Sequence, residues 1–256
     1  MPILQLLLYS FPLIFCISLF TESNLLGFEK DLPKKEASFL LGNCFLQPLS
    51  KKDSPPTFLK LNQEINEELP FALGTSDESL LEIKLSDISK YGIIRIGNDT
   101  ALEFREGDSL TLHKGSLLVS HRQTWGWNFA LEGDFIELNG SGTWMMERLN
   151  SAIKIILLEG ELVTGNSPDR RTLSSGDLII ISETTPQGSN PIKVDLPLLL
   201  GTSRLLNNFP TQLPSKSRLF SAAQVQALRT KRRYDAFIGD VTKEKKLQLW
   251  KVPQKQ

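Results

Sequence analysis

The sequence predicts an all-β fold with a short C-terminal helix, and three observations carry that expectation. From Gly140 to Ile181 the apolar, β-branched runs, such as Ile155 to Val163 and Leu178 to Ile181, are stopped each time by Gly, Asn or Ser, as in short strands joined by tight turns. Upstream, Leu81, Ile83 and Leu85 alternate with Glu82 and Lys84, the period of two that a half-buried strand requires. About ten such runs fit between Leu80 and Ile181 without space for crossover helices, which favours strands joined by turns over a helix-connected parallel sheet.

Bulk composition sets the frame. The 256 residues are 40% apolar, enough for one good core with extensions but cramped for two full domains. Net charge is zero overall, yet eleven basic residues from Lys216 to Gln256 face only Asp235, Asp240 and Glu244. That end therefore carries about +8 and the remainder about −8. The cysteines, Cys16 and Cys44, are too few for a disulfide framework or a structural zinc site.

Residues 1–20 carry no charged side chain and read as a signal peptide or N-terminal anchor. A stretch of about 18 apolar residues can just span a bilayer, so association with a membrane through this segment stays open. Residues 21–77 read as a polar linker region, with Lys51-Lys52-Asp53-Ser54-Pro55-Pro56 as its clearest break and one short helix expected from Leu59 to Leu69. Residues 78–182 hold the strand-rich domain. Its separators, among them Gly97-Asn98-Asp99, Glu106-Gly107-Asp108, His113-Lys114-Gly115 and Leu138-Asn139-Gly140, supply the backbone angles of tight turns.

Here the residues carry a resemblance. The run Leu81 to Asp87 followed by Gly92 to Phe104 resembles the opening of the FecR-type periplasmic domain. Leu110 to Val119, Gly142 to Glu147, Ile155 to Val163 and Leu173 to Asp177 resemble later steps of that domain in its order. The likeness covers residues 78–182 and implies a FecR-like stack of short strands, a β-roll or solenoid-like barrel, in an extracytoplasmic protein of the periplasm or cell envelope. Regulatory members of that family carry a cytoplasmic segment that holds a sigma factor, and no such anti-sigma segment is expected ahead of the leader here. The resemblance thus implies a binding, interaction or sensing module, with a regulator of a FecR-type transmembrane signalling system as an alternative.

Residues 183–217, with Pro186, Pro191, Pro197, Pro210 and Pro214, are expected to cross the domain irregularly and to pack through Leu196 to Leu200. Residues 218–256 form a basic end: a helix from Ala222 to about Asp235 capped by Ser221, then a strand at Lys246 to Val252. The Val225 and Leu228 face of that helix is expected to dock internally, with Arg229, Lys231, Arg232 and Arg233 outward as a possible contact to an anionic surface.

Chemistry is sparse. A cupin-like jelly-roll enzyme or sugar-binding protein is the alternative from another class. Such a metal barrel needs a close histidine pair, an acidic ligand and a further histidine, whereas this chain has only His113 and His121. Both are expected as solvated turn residues. There is no nucleophile elbow, phosphate loop or dinucleotide fingerprint, so neither an enzyme nor a cofactor is expected, and no nucleic-acid partner. Trp125 and Trp127 flank a glycine that, as a turn, could offer the rings to a glycan or partner. The plainer reading buries Trp127 and Trp144 in the sheet core. The partner itself is an envelope protein or polymer that the sequence does not name.

Overall fold

The computed structural model describes residues 34–50, 54–86, 91–106, 109–131, 134–165, 170–182, 188–228, 235–240 and 247–251. Contacts divide the chain into two compact units, Met1–Asp31 and Leu32–Gln256. The first, with the expected leader, lies outside the described residues. No helix among the described residues is long and apolar enough to cross a membrane.

The second unit is mostly β, as expected. The region read as a polar linker differs: from Lys34 onward it supplies β1 (Lys34–Leu41), β2 (Cys44–Pro48), β3 (Thr57–Phe58) and β4 (Phe71–Thr75). Sparse buried residues suffice, because β1 hides Ala37, β2 hides Cys44 and Leu46, and β4 hides Phe71 and Leu73. The helix expected from Leu59 to Leu69 is absent. That stretch lies along β1 instead, with Ala37 N–H donating to Gln63 O and Ile65 N–H to Lys35 O, at 2.9 and 2.8 Å.

Nine strands follow where about ten were expected: β5 (Leu80–Ser86), β6 (Tyr91–Ile96), β7 (Thr100–Arg105), β8 (Ser109–Lys114), β9 (Ser116–Leu131), β10 (Asp134–Leu149), β11 (Ala152–Thr164), β12 (Arg171–Ser174) and β13 (Asp177–Ser182). Then come β14 (Ile192–Lys193), three short helices α1 (Leu196–Thr202), α2 (Arg204–Asn207) and α3 (Lys216–Ala227), and a separate hairpin of β15 (Ala236–Asp240) and β16 (Leu247–Lys251).

The three long strands β9, β10 and β11 lie side by side, antiparallel, and each belongs to two half-sheets. The early part of β9 pairs with β6, while further along Asn128 and Phe129 lie parallel to Ser109 and Leu110 of β8. In β11, Ala152 to Ile156 pair with β13 and Glu161 to Thr164 with β12. One half-sheet therefore runs β1-β5-β6-β9-β10-β11-β13-β14, and the other β3-β2-β4-β7-β8-β9-β10-β11-β12.

Glycines mark the passage from one half to the other. Gly142 stands opposite Gly160 and Gly140 opposite Leu162, with register shifts at Thr143/Trp144 and Gly140/Gly142. A Cβ on Gly142 would sit 2.1 Å from Glu159 O, and one on Gly160 2.2 Å from Ser141 O, so the two backbones approach more closely than any side chain permits. Gly142 and Gly160 also have φ of 133° and 96°. The separator read as a turn at Leu138-Asn139-Gly140 is thus a bend within one continuous strand, in the manner of a β-bulge.

Alternation then gives two cores. Inward positions such as Leu81, Ile83, Ile94, Ile96, Leu117, Val119, Trp144, Met146 and Ile155 pack against Phe71, Leu73, Leu102, Phe104, Leu112 and Trp127 of the other half-sheet. The outward positions Leu80, Ile93, Leu118, Met145, Ile156, Leu158 and Leu178 form a second cluster with Val194, Leu196, Leu199, Leu205, Phe209, Leu213, Leu219 and Ala223. Residues 188–228 therefore lie as a strap over the outer face. Part of it is helical where an irregular crossing was expected: the Asp195 side chain caps α1 by accepting from Leu198 N–H at 3.0 Å, and Pro197 in the first turn suits a helix start.

A buried ion pair pins the strap. Glu82 and Arg95 are cross-strand neighbours with 0% and 1% side-chain exposure, and Arg95 Nε donates to Glu82 Oε2 at 2.9 Å. The guanidinium also donates to the carbonyls of Leu205, Leu206 and Thr211 and lies 4.5 Å from the Phe209 ring centroid. The other Glu82 oxygen accepts from Ser38 and Thr211 hydroxyls. Removing one member leaves a buried charge, so Arg95→Met should cost about 3–5 kcal/mol of stability. Glu82→Gln combined with Arg95→Met should cost less than Arg95→Met alone. Urea unfolding of the three chains checks this, and equal losses would show that the charges are not coupled.

Candidate functional site

A second polar cluster under the strap forms where α3 meets the glycine bend. Ser120 of β9, Thr143 of β10 and Ser215, the N-cap of α3, are all 0% exposed. Ser120 Oγ lies 2.9 Å from Thr143 Oγ1 and 3.1 Å from Ser215 Oγ, and the Thr143 hydroxyl donates to Glu159 Oε1 at 2.8 Å. Arg218, in the first turn of α3, meets the same carboxylate with Nε 3.0 Å from Oε2 and Nη2 3.2 Å from Oε1. A cleft of about 360 Å³ opens beside it, lined by Ser141, Gly142, Gly160, Ser175, Ser217 and Ser221. Its chemistry is that of an anchor. Glu159, which would be the base for a hydroxyl, is matched by a forked guanidinium, and the hydroxyls bond to one another across three elements.

His121 adjoins this cluster on β9, and the structure corrects its expected exposure: it is 1% exposed. Its Nδ1 lies 2.7 Å from Gln123 O, which assigns the proton to that nitrogen. Burial pushes its pKa below the ordinary histidine value and the Arg218 charge adds to this, while the Gln123 bond opposes. His113 is half exposed, but it lies in strand β8 rather than in the expected turn, with Nε2 2.7 Å from Glu103 Oε2, and Arg105 Nε lies 2.7 Å from Oε1. Burial alone would raise the Glu103 pKa, but the hydrogen bonds and charges of Arg105 and His113 hold it below the usual carboxylate range. The two histidines thus have different partners, and among the described residues no group of three His, Cys, Asp or Glu side chains could hold a metal ion. Cys44 is buried in the inner core with its thiol pushed up to about 11 by desolvation.

Two further clefts lie among the described residues. A groove of about 310 Å³ lies on the strap between Leu200, Leu206, Phe209, Leu219 and Phe220 and the polar Asn207, Thr211, Gln212 and Lys216. Another of about 560 Å³ lies between Asn98, Lys114, Glu147, Arg148 and Asn150, where Lys114 pairs with Asp99.

The residues singled out by sequence fall as follows. Trp127, considered as a partner or glycan contact, is 3% exposed in the inner core, which also holds the fully buried Trp144. β9 runs through Trp125-Gly126-Trp127 without turning, so period two carries Trp127 inward. The Trp125 side chain lies outside the described residues, as do Arg229, Lys231, Arg232 and Arg233. The C-terminal helix begins at Lys216, not Ala222, and ends at Ala227. Its docked face is Leu219, Ala223 and Gln226, at the i, i+4, i+7 spacing, whereas Val225 and Leu228 are 59% and 81% exposed. Gln226 fixes this register by donating to Val194 O and accepting from Leu196 N–H, at 2.7 and 2.8 Å. The strand expected at Lys246 to Val252 is present as β16, paired with β15.

The depressed pKa of His121 gives a pH dependence with a definite sign. The unfolded chain takes up a proton near the ordinary value of about 6.5, before the folded chain does. The stability that neutral His121 supplies is therefore complete above about pH 6.5 and is lost as pH falls toward the lower folded value. Between about pH 7.5 and pH 5, melting temperature should fall more in the native chain than in His121→Gln. An identical fall in both would contradict this.

No protein family matches the sequence, and no curated protein matches it. Among solved structures the chain is similar to a candidate anti-sigma factor from Parabacteroides distasonis ATCC 8503, at 9% sequence identity and a TM-score of 0.36. The likeness covers 47% of this chain and 58% of that one, so the chain spans less than two thirds of that neighbour's length.

Proposed function

We propose that this protein is an extracytoplasmic binding or sensing module of the cell envelope, of the FecR type, and that it acts on its partner by contact rather than by catalysis. One observation supports this most. The FecR-like steps of the sequence fall, in order, on β5 to β7, on β8 and β9, on β10, on β11, and on β12 and β13 of one continuous sheet. Each step is short and degenerate, and their ordered placement in a single sheet is what gives them joint weight. The buried charges also suit an interaction module. Glu82, Glu147 and Glu159 are each engaged by a cation, Arg95, Lys154 and Arg218 respectively, so these carboxylates serve the fold. In this reading the apolar residues 1–20 deliver or tether the domain outside the cytoplasm. The basic residues after Leu228 add attraction to an anionic envelope surface.

A fusion of the full chain to an alkaline phosphatase that folds only outside the cytoplasm tests the compartment. The fusion should be active, and deletion of residues 1–20 should abolish its activity. Equal inactivity of both fusions, with both proteins produced, would overturn the proposal.

A further inference from the structure

The two hydrophobic clusters share no residue. The inner one draws its members from Ala37 to Ile181, whereas every clustered apolar residue of the strap belongs to the outer one. The core between the half-sheets is therefore complete without residues 188–228. Two of the buried charge pairs beneath the strap lie wholly on the sheet, whereas Glu159 and Asp177 take their cations, Arg218 and Lys193, from the strap. Glu82 pairs with Arg95, and Lys154 with Glu147, each across adjacent strands. Lifting the strap would uncover the two sheet pairs with both charges still matched, and it would part Glu159 from Arg218 only as Glu159 itself reaches water, so no charge is left both buried and alone.

The strap's attachment is of a different kind from the sheet's. Backbone ladder bonds tie it only at its start, through β14 on β13, Ser189 N–H to Ile180 O and Val194 N–H to Gly176 O. Beyond that it is held by side-chain sockets: Arg95 on the carbonyls of Leu205, Leu206 and Thr211, Thr211 on Glu82, Ser215 on Ser120 and Thr143, and Arg218 on Glu159. Its helices have seven, four and twelve residues, too short to persist once their apolar faces lose the sheet.

We propose that residues 188–228 open from the outer sheet face as one cooperative unit while the two half-sheets stay closed on each other, so that the strap is a releasable cover over the outer face. The uncovered face carries Leu80, Ile93, Leu118, Met145, Ile156, Leu158 and Leu178 interleaved with the Glu82–Arg95 and Glu147–Lys154 pairs. This device concerns the fold alone and does not depend on the compartment proposed above.

Hydrogen exchange on the full chain reads it directly. Strap amides such as those of Leu199, Ser203 and Leu219 should exchange through one shared opening, at least about tenfold more frequent than the opening that exposes β9 to β11. Thr211→Val should raise the strap rates several-fold and leave the β10 amides unchanged. Thiol labelling gives a second reading in a Cys16→Ser background, with buried Cys44 reporting on the inner core. The thiol introduced by Met145→Cys should react at least about tenfold faster than Cys44, because it needs only the strap to lift. Strap and sheet amides exchanging through one common opening, or equal reactivity of the two thiols, would overturn the proposal.

Discussion

The close crossing of β10 and β11 at Gly140, Gly142 and Gly160 is the constraint on which the rest of the structure depends. Two peptide backbones come within a distance that leaves no space for a Cβ, with Glu159 O, Glu161 O and Ser141 O occupying the positions a side chain would take. This approach lets both strands change direction while their hydrogen-bonded ladder continues on either side. With β9 alongside, the bend turns one fourteen-stranded sheet into two facing halves. The inner core is the consequence: Trp144 and Met146 lie after the bend, Leu138 before it, and all three belong to the same cluster.

The second consequence is an outer face that cannot be left to water. Seven apolar side chains of the first half-sheet point away from the inner core, and the strap covers them. Polar residues share that face, and the structure matches them in place. Glu82 meets Arg95 across β5 and β6, Glu147 meets Lys154 across β10 and β11, and Thr143 reaches Glu159. Their contribution is one of position more than of net energy, since a buried pair gains little over an apolar one of the same volume. Arg95 spans both roles, binding the sheet's carboxylate and three strap carbonyls at once.

Much of this was legible in the residues, and the misreadings have physical causes. The alternation in Leu80 to Ser86 identifies β5 correctly, but by that pattern Glu82 belongs to the polar face of a half-buried strand, whereas it is fully buried. Leu118, Met145, Ile156 and Leu158 at outward positions were the available sign that both faces are covered, because two-sided burial replaces alternation with apolar runs. Glycine was read as a turn residue at Gly140, where it serves close backbone approach, and a single sequence does not separate those two uses. In the N-terminal region few apolar residues mark β1 to β4, since β1, β2 and β4 each bury only one narrow stripe of residues. The C-terminal helix was placed six residues late because Ser221 offered a side-chain cap, whereas the observed start at Ser215 is chosen by tertiary bonds to Ser120 and Thr143. Of the candidate site, Trp127 followed the plainer reading into the core. The cluster around Glu159 was not visible, because its members come from positions 120, 143, 159, 215 and 218, and no local spacing joins them.

The most direct measurement of the central claim compares two glycine substitutions by urea unfolding. Gly160 sits at the crossing with φ of 96° and Ser141 O 2.2 Å from any added Cβ, whereas Gly201 in α1 has nothing within 4 Å. Gly160→Ala should lose about 2 kcal/mol or more through strain and forced separation of the backbones. Gly201→Ala should be neutral or gain up to about 1 kcal/mol through helix propensity. Similar small effects at both positions would contradict the account, for they would mean that the strands do not meet at the bend as closely as the fold requires.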